Sequence, residues 1–359
     1  MDFLAGNRIR GTSTERTSLV GVSGIGGWKE VGRTTLGSKT SPMTVTSLPD
    51  KRYYMVLSYA IADGTNRAAT TRRLGYNSVD TGSNYSSRRN DNGSLESTNI
   101  SRQHSDNVNL NTDKTPQFAV DYVSNLSSKE KLAMTQIVLQ NTAGAGNAPQ
   151  RAESVWKWTN TSNPLDTYQI LREPSESGSW EAGSEVVVLG WDEDNDGSNF
   201  WEELASTTLT STGDTLSSGT FTAKKYLWVQ GYTFGTSGNE AALRVGNNSV
   251  DTSSNYTYRY SSNGGSDSTE INKTKLLDLS NQTPIFWNYF IINNAANEKL
   301  MIGNVSRQST AGAGNAPSRM ESVEKWANTS NQINIIDFQN TGAGGDMSIG
   351  STIKVWGSN

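Results

Sequence analysis

Apolar residues along this chain recur at every second position or in short unbroken runs, which is the pattern of β-strands. Three examples are YYMVLSY at 53–59, SEVVVLG at 184–190 and IFWNYFII at 285–292. Clusters of Asn, Gly and Ser separate such runs, and Asn92–Gly93 and Asn263–Gly264 have the residue types that hairpin turns need for positive φ. The pattern predicts an all-β protein.

The sequence contains two copies of one unit. The word TAGAGNAP stands at 142–149 and again at 310–317, and similar segments continue on both sides of it. The two units span roughly 27–191 and 200–357. A period of about 170 residues is far longer than the 20–50 residues of solenoid repeats, so it indicates a duplicated domain.

Each unit is predicted to be an antiparallel β-sandwich of about eight strands, with a jelly-roll-like arrangement. The predicted organisation is an extended N-terminal arm at 1–26, a first sandwich at 27–191, an acidic linker at 192–199 and a second sandwich at 200–359. Such an arm could order against a neighbouring subunit.

The TAGAGNAP word follows one predicted strand and precedes another, so it is predicted to be a connecting loop. Its glycines indicate backbone with unusual dihedrals or a close approach. A role in the fold is the favoured interpretation, and a surface that both domains present is the alternative.

Composition excludes several classes of function. Charged residues make up 18% of the chain and the net charge is −4, which predicts no nucleic-acid binding. There is no Cys and only one His, His104, so thiolate and His-cluster metal sites are excluded. No apolar run is long enough to span a membrane, and the first residues do not have the pattern of a signal peptide.

An acidic segment between the units matches a calcium-binding loop. Counted from Asp192, the pattern D-x-D-x-D-G with a later Glu is complete. Ca²⁺ takes six to eight oxygen ligands, and alternate carboxylates on a tight loop can supply them. The candidate ligands are Asp192, Asp194, Asp196, Ser198 and Glu203. Calcium would stiffen the joint, and the alternative is a solvated acidic linker that holds the domains apart.

One charged pair recurs at matching positions of the two units. Arg151 and Glu153 in the first unit correspond to Arg319 and Glu321 in the second. The two members are two positions apart on a predicted strand and therefore share one face. A surface ion pair of small energetic weight is the favoured interpretation, and a contact with a sugar or a neighbouring subunit is the alternative.

Recurring aromatic and acidic residues are interpreted structurally. The recurring tryptophans are expected in the core more than in sugar-stacking platforms. Asp80 and Asp251 are expected in Asx-type turns. No P-loop, G-x-S-x-G or H-E-x-x-H motif is present, so no catalytic residue is nominated. The tryptophans concerned are Trp28 and Trp201, and Trp158 and Trp326.

Segments such as GWKEVGRTTL, GSNYSSRR and NAPQRAESVWKW resemble virion structural proteins of tailed viruses known mainly from marine metagenomes. The N-terminal MDFLAGNRIRGTS is similar to them too, so the resemblance covers nearly the whole chain. It implies a capsid decoration protein or a tail component with no catalytic residues. The absence of Cys, the lack of a leader and the near-neutral charge fit assembly in the host cytoplasm.

The sequence therefore predicts a non-enzymatic structural protein that acts through contacts with other virion proteins and with itself. The alternative is a carbohydrate-binding adhesin that recognises a host-surface glycan. A glycan-cleaving tail enzyme would need two carboxylates across a groove, which sequence spacing cannot identify.

Overall fold

The computed structural model describes residues 27–63, 69–105, 116–192, 199–235, 240–280, 284–308, 310–342 and 344–359. The predicted arm, 1–26, and most of the predicted linker, 193–198, lie outside the described residues. Within the described ranges, every regular element is a β-strand. The all-β prediction is therefore confirmed.

The described residues of the first repeat form twelve strands in two antiparallel sheets. The large sheet has the order β1-β12-β3-β8-β9-β10-β6-β7, and the small sheet has the order β2-β11-β4-β5. Their bounds are β1 Lys29–Thr35, β2 Met43–Val45, β3 Tyr53–Ala60, β4 Thr70–Tyr76, β5 Ser78–Val79, β6 Tyr85–Asp91, β7 Ser97–Arg102, β8 Gln117–Ser124, β9 Lys131–Leu139, β10 Gln150–Trp158, β11 Thr167–Arg172 and β12 Glu185–Trp191.

In the second repeat, the part that the structure describes forms thirteen strands and repeats the same topology. Its large sheet has the order β13-β25-β15-β21-β22-β23-β18-β19, and its small sheet has the order β14-β24-β16-β17, with β20 also paired to β16. The bounds are β13 Glu202–Thr208, β14 Thr215–Ser217, β15 Tyr226–Thr233, β16 Glu240–Asn247, β17 Ser249–Val250, β18 Tyr256–Ser262, β19 Ser268–Lys273, β20 Leu276–Ser280, β21 Ile285–Ile292, β22 Lys299–Arg307, β23 Ser318–Trp326, β24 Ile335–Asn340 and β25 Thr352–Ser358.

The tandem β-sandwich architecture is confirmed, while the expected eight strands per repeat is too few. The additional strands include β5 and β17, which are two residues long and too short to produce a periodic pattern. The two predicted hairpin turns are confirmed. Asn92 and Gly93 have φ of 52° and 69°, and Asn263 and Gly264 have φ of 53° and 74°.

Each sandwich buries its own hydrophobic core between its two sheets. A third core, the inter-repeat core, lies between the two large sheets and contains residues of both repeats. It explains the unbroken apolar run of β12, because Val186 and Val188 belong to the core of repeat 1 whereas Val187 and Leu189 belong to the inter-repeat core. The repeats therefore pack on each other and are not held apart.

Two buried lysines fix matching corners of the repeats. Lys131 and Lys299, at the starts of β9 and β22, are fully buried beneath the rings of Trp158 and Trp326. The Lys299 ammonium donates to three backbone carbonyls, those of Ala295, Asn297 and Asn328. Burial lowers the pKa of Lys299 to about 8, opposed by the charge of Glu298. Glu130 and Glu298, the residues directly before these lysines, belong to the candidate functional site.

Candidate functional site

The first TAGAGNAP segment, 142–149, is confirmed as a loop, because it connects β9 to β10 and Gly144 has a φ of 90°. This first loop lies on repeat 2. Lys325 Nζ donates to the carbonyl of Thr142 at 2.7 Å, and the amide of Gly144 donates to Glu298 Oε1 at 2.5 Å. The first half of the loop is thus held by a cation and an anion of the other repeat.

The cation and the anion that hold the loop are an ion pair. Lys325 Nζ lies 3.0 Å from Glu298 Oε2, and their side chains are 0% and 3% exposed. Burial lowers the pKa of Lys325, and the charge of Glu298 opposes that shift. A buried pair of this kind is stable only where further hydrogen bonds satisfy it, and the loop backbone supplies them.

Further polar contacts surround the loop. The amide of Asn272 donates to the carbonyl of Ala145 at 2.9 Å, and Arg259 Nε donates to the carbonyl of Pro149 at 2.9 Å. Beside the loop, Arg151 binds Asp267 through two nitrogens at 2.6 and 3.3 Å. The first loop and the start of β10 are therefore docked on repeat 2 by directional bonds as well as by apolar contact.

Repeat 1 has a groove of about 730 Å³ on the face of its large sheet that also carries the inter-repeat core. Repeat 2 covers only part of this face. Several large apolar side chains of the groove are exposed: Tyr53 41%, Ile100 77%, Leu132 58%, Met134 58% and Val155 50%. Adjoining exposed apolar side chains of this kind are typical of surfaces that contact another molecule.

The same positions in repeat 2 are buried. When the repeats are aligned, Tyr53, Leu132, Met134 and Val155 correspond to Tyr226, Leu300, Ile302 and Val323. All four counterparts belong to the inter-repeat core and are at most 2% exposed, because repeat 1 covers them. The groove is therefore the uncovered copy of a surface that already binds protein in repeat 2.

The polar residues that hold the first loop also have counterparts at the groove. Lys157 and Glu130 correspond to Lys325 and Glu298, and they form the same ion pair at 2.8 Å with 39% exposure of each side chain. At the positions of Arg259 and Asp267 stand Arg88 and Glu96, whose ion pair of 2.7 Å is also exposed.

The second TAGAGNAP segment, 310–317, is a loop between β22 and β23, and its residues are exposed. It borders a hollow of about 310 Å³ on repeat 2. The aromatic side chains of this hollow, Tyr232 and Phe286, are 43% and 45% exposed. The second loop thus lies on an uncovered surface, unlike the first.

The structure places the two copies of the predicted charged pair in different environments. Arg151 pairs with Glu153 and Asp267, and its side chain is 6% exposed between the repeats. Burial disfavours its charge, but the hydrogen bonds and charges of Asp267 and Glu153 leave its pKa raised. Arg319 is 67% exposed and pairs with Glu321 at 2.6 Å. The surface ion pair describes Arg319, whereas Arg151 lies in an internal interface.

The proposed calcium ligands are only partly visible. Asp194, Asp196 and Ser198 lie outside the described residues. Asp192 pairs with Lys51 at 2.9 Å, and Glu203 pairs with Lys354 at 3.0 Å. In the described part of the chain, no three His, Asp or Glu side chains group as metal ligands. Calcium binding stays a prediction.

The recurring tryptophans and aspartates have structural roles. Trp158 Nε1 donates to Asp80 Oδ2 at 2.7 Å, and Trp326 Nε1 donates to Asp251 Oδ2 at 2.8 Å. The other carboxylate oxygen of Asp80 accepts the amide of Gly82 at 2.8 Å, which is the expected Asx turn. Both tryptophans are buried, as is Trp201, while Trp28 packs partly buried against the inter-repeat core.

Sequence reasoning missed the groove and the Lys–Glu pair. The signal was present, because Glu130 and Lys157 recur in the second copy as Glu298 and Lys325. The apolar positions recur as well. Which copy of these positions is covered is decided by the packing of the repeats, and the groove positions alone do not reveal it because they are apolar in both copies.

No protein-family model matches the chain, and no curated protein matches it either. Among solved structures, domains LG4-5 of the mouse laminin alpha1 chain match with 9% identity and a TM-score of 0.19, covering 91% of this chain and 90% of that one. The LG1-3 region of the laminin alpha2 chain matches with 7% identity and a TM-score of 0.21, covering 88% of this chain and 64% of that one. No helix capable of crossing a membrane is found among the described residues.

Proposed function

We propose that the chain is a non-enzymatic structural protein of a virus particle, and that it acts by docking other protein on the groove of repeat 1. One observation carries the proposal. Groove side chains such as Leu132, Met134 and Val155 are at least half exposed, while their counterparts in repeat 2 are buried by protein. Burying apolar surface contributes about 25 cal/mol per Å², so an uncovered apolar face favours association.

The virion setting draws on the resemblance of the sequence to structural proteins of tailed viruses. On that basis the chain decorates a capsid or belongs to a tail, and it assembles in the host cytoplasm with other virion proteins. Directional contacts of the kind seen at the first loop suit such a role, because they fix the orientation of one module on another.

Imaging of purified particles by cryo-electron microscopy tests this proposal. We expect density for this chain in the particle, with another protein molecule covering the groove. Particles without the chain, or a groove that faces solvent in the assembled particle, would overturn the proposal. A particle produced with Val155→Asp provides the functional test, because a charge in the groove should reduce incorporation of the chain.

A second exposed apolar residue supplies the matched control for that variant. Ile349 is 59% exposed and is not among the residues that line the groove. Ile349→Asp places the same charge on the surface of repeat 2, so it should leave incorporation unchanged. Equal loss with both variants would assign the effect to general surface charge.

Carbohydrate binding is the second candidate, and one feature of the surface favours it. The rings of Tyr53 and Trp191 lie 5.7 Å apart and are 41% and 37% exposed, and exposed aromatic rings can stack on sugars. A glycan array with and without EDTA tests this candidate. Specific signal that Tyr53→Ala abolishes would support it, whereas no signal on a broad array would remove it.

A further inference from the structure

We propose that the groove of repeat 1 binds a second copy of this chain, which fills it with its second loop and the adjoining face of repeat 2. The inference rests on the proposed function, because it names the partner of the same groove. The precedent lies within one chain, where the first loop and the adjoining face of repeat 1 fill the matching site on repeat 2.

The second loop already has the conformation of the docked first loop. Gly312 has a φ of 96° and Gly144 a φ of 90°. The amide of Asn315 donates to the Gly312 carbonyl at 3.1 Å, as the amide of Asn147 does to Gly144 at 3.2 Å. Each Asn side chain also donates to an Ala carbonyl at 2.9 Å. A loop that is ordered before binding loses little conformational entropy on docking.

The groove presents the groups that such a loop needs. Lys157 and Glu130 are already paired in the manner of Lys325 and Glu298. We expect Lys157 to donate to the carbonyl of the partner's Thr310, and Glu130 to accept the amide of the partner's Gly312. Docking would remove water from this pair, which is now partly exposed.

The backbone that would hold the middle of the loop is also in place. Asn272, whose amide holds Ala145, has a φ of 51°, and the corresponding Ser101 has a φ of 52°. Residues other than glycine seldom adopt this left-handed conformation, so its recurrence at both positions indicates that the backbone is the same in the two repeats here. The Ser101 amide therefore has the orientation to donate to the carbonyl of the partner's Ala313.

On docking, Glu96 would change its ion-pair partner from Arg88 to an arginine of the second copy. Within the chain, Arg151 binds Asp267 across the inter-repeat contact. The corresponding residues are Arg319, which is 67% exposed, and Glu96, which now pairs with Arg88. In the proposed contact, the partner's Arg319 would bind Glu96 beside the groove. The two uncovered surfaces are thus complementary in charge.

The apolar parts of the two surfaces also match, although less fully. Tyr232 and Phe286 beside the second loop correspond to Tyr59 and Phe118, which are buried in the inter-repeat core. Four other positions of that face are polar in repeat 2 where repeat 1 has apolar residues. These are Gln230, Asn288, Ser306 and Lys354, in place of Leu57, Val120, Val138 and Val187. The contact between chains should therefore be weaker than the contact within a chain, and reversible.

Each copy would offer one loop and one groove, on different repeats. Such a contact is heterologous, and repeating it produces an open chain or a closed ring instead of a simple symmetric dimer. This property distinguishes the proposal from association through a single self-complementary patch.

Analytical ultracentrifugation of the full chain tests self-docking across a wide range of concentration. We expect the average mass to rise with concentration. Val155→Asp blocks the groove, and Ala313→Glu blocks the second loop without affecting folding, because Ala313 is exposed. Each variant alone should remain a single chain, while Ile349→Asp should associate like the original protein.

Mixing the two blocked variants gives the decisive measurement. Each retains the half that the other lacks, so an equimolar mixture should form complexes of two chains and nothing longer. A monomer at every concentration, association that survives both substitutions, or a mixture that stays monomeric would each overturn self-docking. If the chain is monomeric but the particle density shows another protein in the groove, the proposed function stands and only this inference fails.

Discussion

At matching positions, the same face of the large sheet is buried in one repeat of this protein and exposed in the other. In repeat 2, Ile302 and Val323 are buried between the repeats, whereas in repeat 1 the corresponding Met134 and Val155 are 58% and 50% exposed. The residue types are alike, so the difference lies in what covers them. An apolar residue in a strand predicts that some partner exists, and it does not predict whether that partner belongs to the same chain.

The cores of the two sandwiches differ in another way. Repeat 1 buries Asp121 with Arg72 at 3.3 Å and with the hydroxyl of Tyr168 at 2.8 Å. Repeat 2 instead buries Glu324 within its sandwich, where it accepts hydrogen bonds from Tyr289 at 3.0 Å and Ser322 at 2.8 Å. One topology therefore accommodates a buried acid in two places, provided that neighbouring groups hydrogen-bond to it.

The largest expected effect separates the covered face from the uncovered one. Val323→Asp would bury a charge without a partner in the inter-repeat core and should lower the free energy of unfolding by about 4–5 kcal/mol. Val155→Asp at the matching position should change it by no more than ~0.5 kcal/mol. Urea denaturation of both variants measures the difference. Equal losses would contradict the assignment of Val155 to an exposed surface.

The two copies of the charged pair provide the next test. Arg151→Ala would leave the buried Asp267 with Arg259 at 3.9 Å and should lower the free energy of unfolding by about 3–4 kcal/mol. Arg319→Ala removes an exposed side chain and should cost ~0.5 kcal/mol or less. Thermal or urea denaturation compares them. A similar small loss for both would indicate that Arg151 is not part of a tight inter-repeat contact.

Glu324 gives repeat 2 a pH dependence that repeat 1 lacks at that position, where Trp156 stands. Burial raises the pKa of Glu324 from 4.5 to about 7. The folded state therefore binds this proton more tightly than the unfolded state, and the contribution to stability is lost as the pH rises from about 4.5 to 7. The loss should be about 3 kcal/mol.

Glu324→Gln tests that assignment. The amide keeps an oxygen that can accept the bonds of Tyr289 and Ser322 but cannot ionise, so the variant should lack this pH-dependent loss. Denaturation midpoints measured at pH 5 and pH 8 supply the comparison. If the variant loses as much stability between pH 5 and pH 8 as the original protein does, the titrating group lies elsewhere.

The smallest expected difference lies in the hairpin turns. Gly93 and Gly264 both have positive φ, so the backbone strain of an Ala at either position should lower the free energy of unfolding by about 1 kcal/mol. At Gly93 an added Cβ would lie 2.5 Å from the backbone nitrogen of Asp267, whereas at Gly264 it would lie 3.2 Å from the mobile end of Arg319. Gly93→Ala should therefore cost about 1 kcal/mol more than Gly264→Ala. Identical losses would show that the Gly93 turn does not press on repeat 2.

The sequence predicts much of this architecture and little of its assembly. Period-two and unbroken apolar runs identify the long strands, and the TAGAGNAP word identifies the duplicated loop. The buried Arg151 and the exposed Arg319 cannot be told apart in this way, because both follow the same loop and precede the same Glu-Ser-Val motif. Their difference depends on how two folded sandwiches meet, and these two matching motifs contain no information on that contact.

Since each repeat contains both a TAGAGNAP loop and a site of the kind that holds one, a single repeat would in principle polymerise on its own. Joining two repeats in one polypeptide makes every second contact intramolecular, at an effective concentration in the millimolar range. Duplication would then halve the number of junctions that depend on the supply of new subunits. The polar substitutions beside the second loop would leave the remaining junctions as the places where growth can stop or reverse.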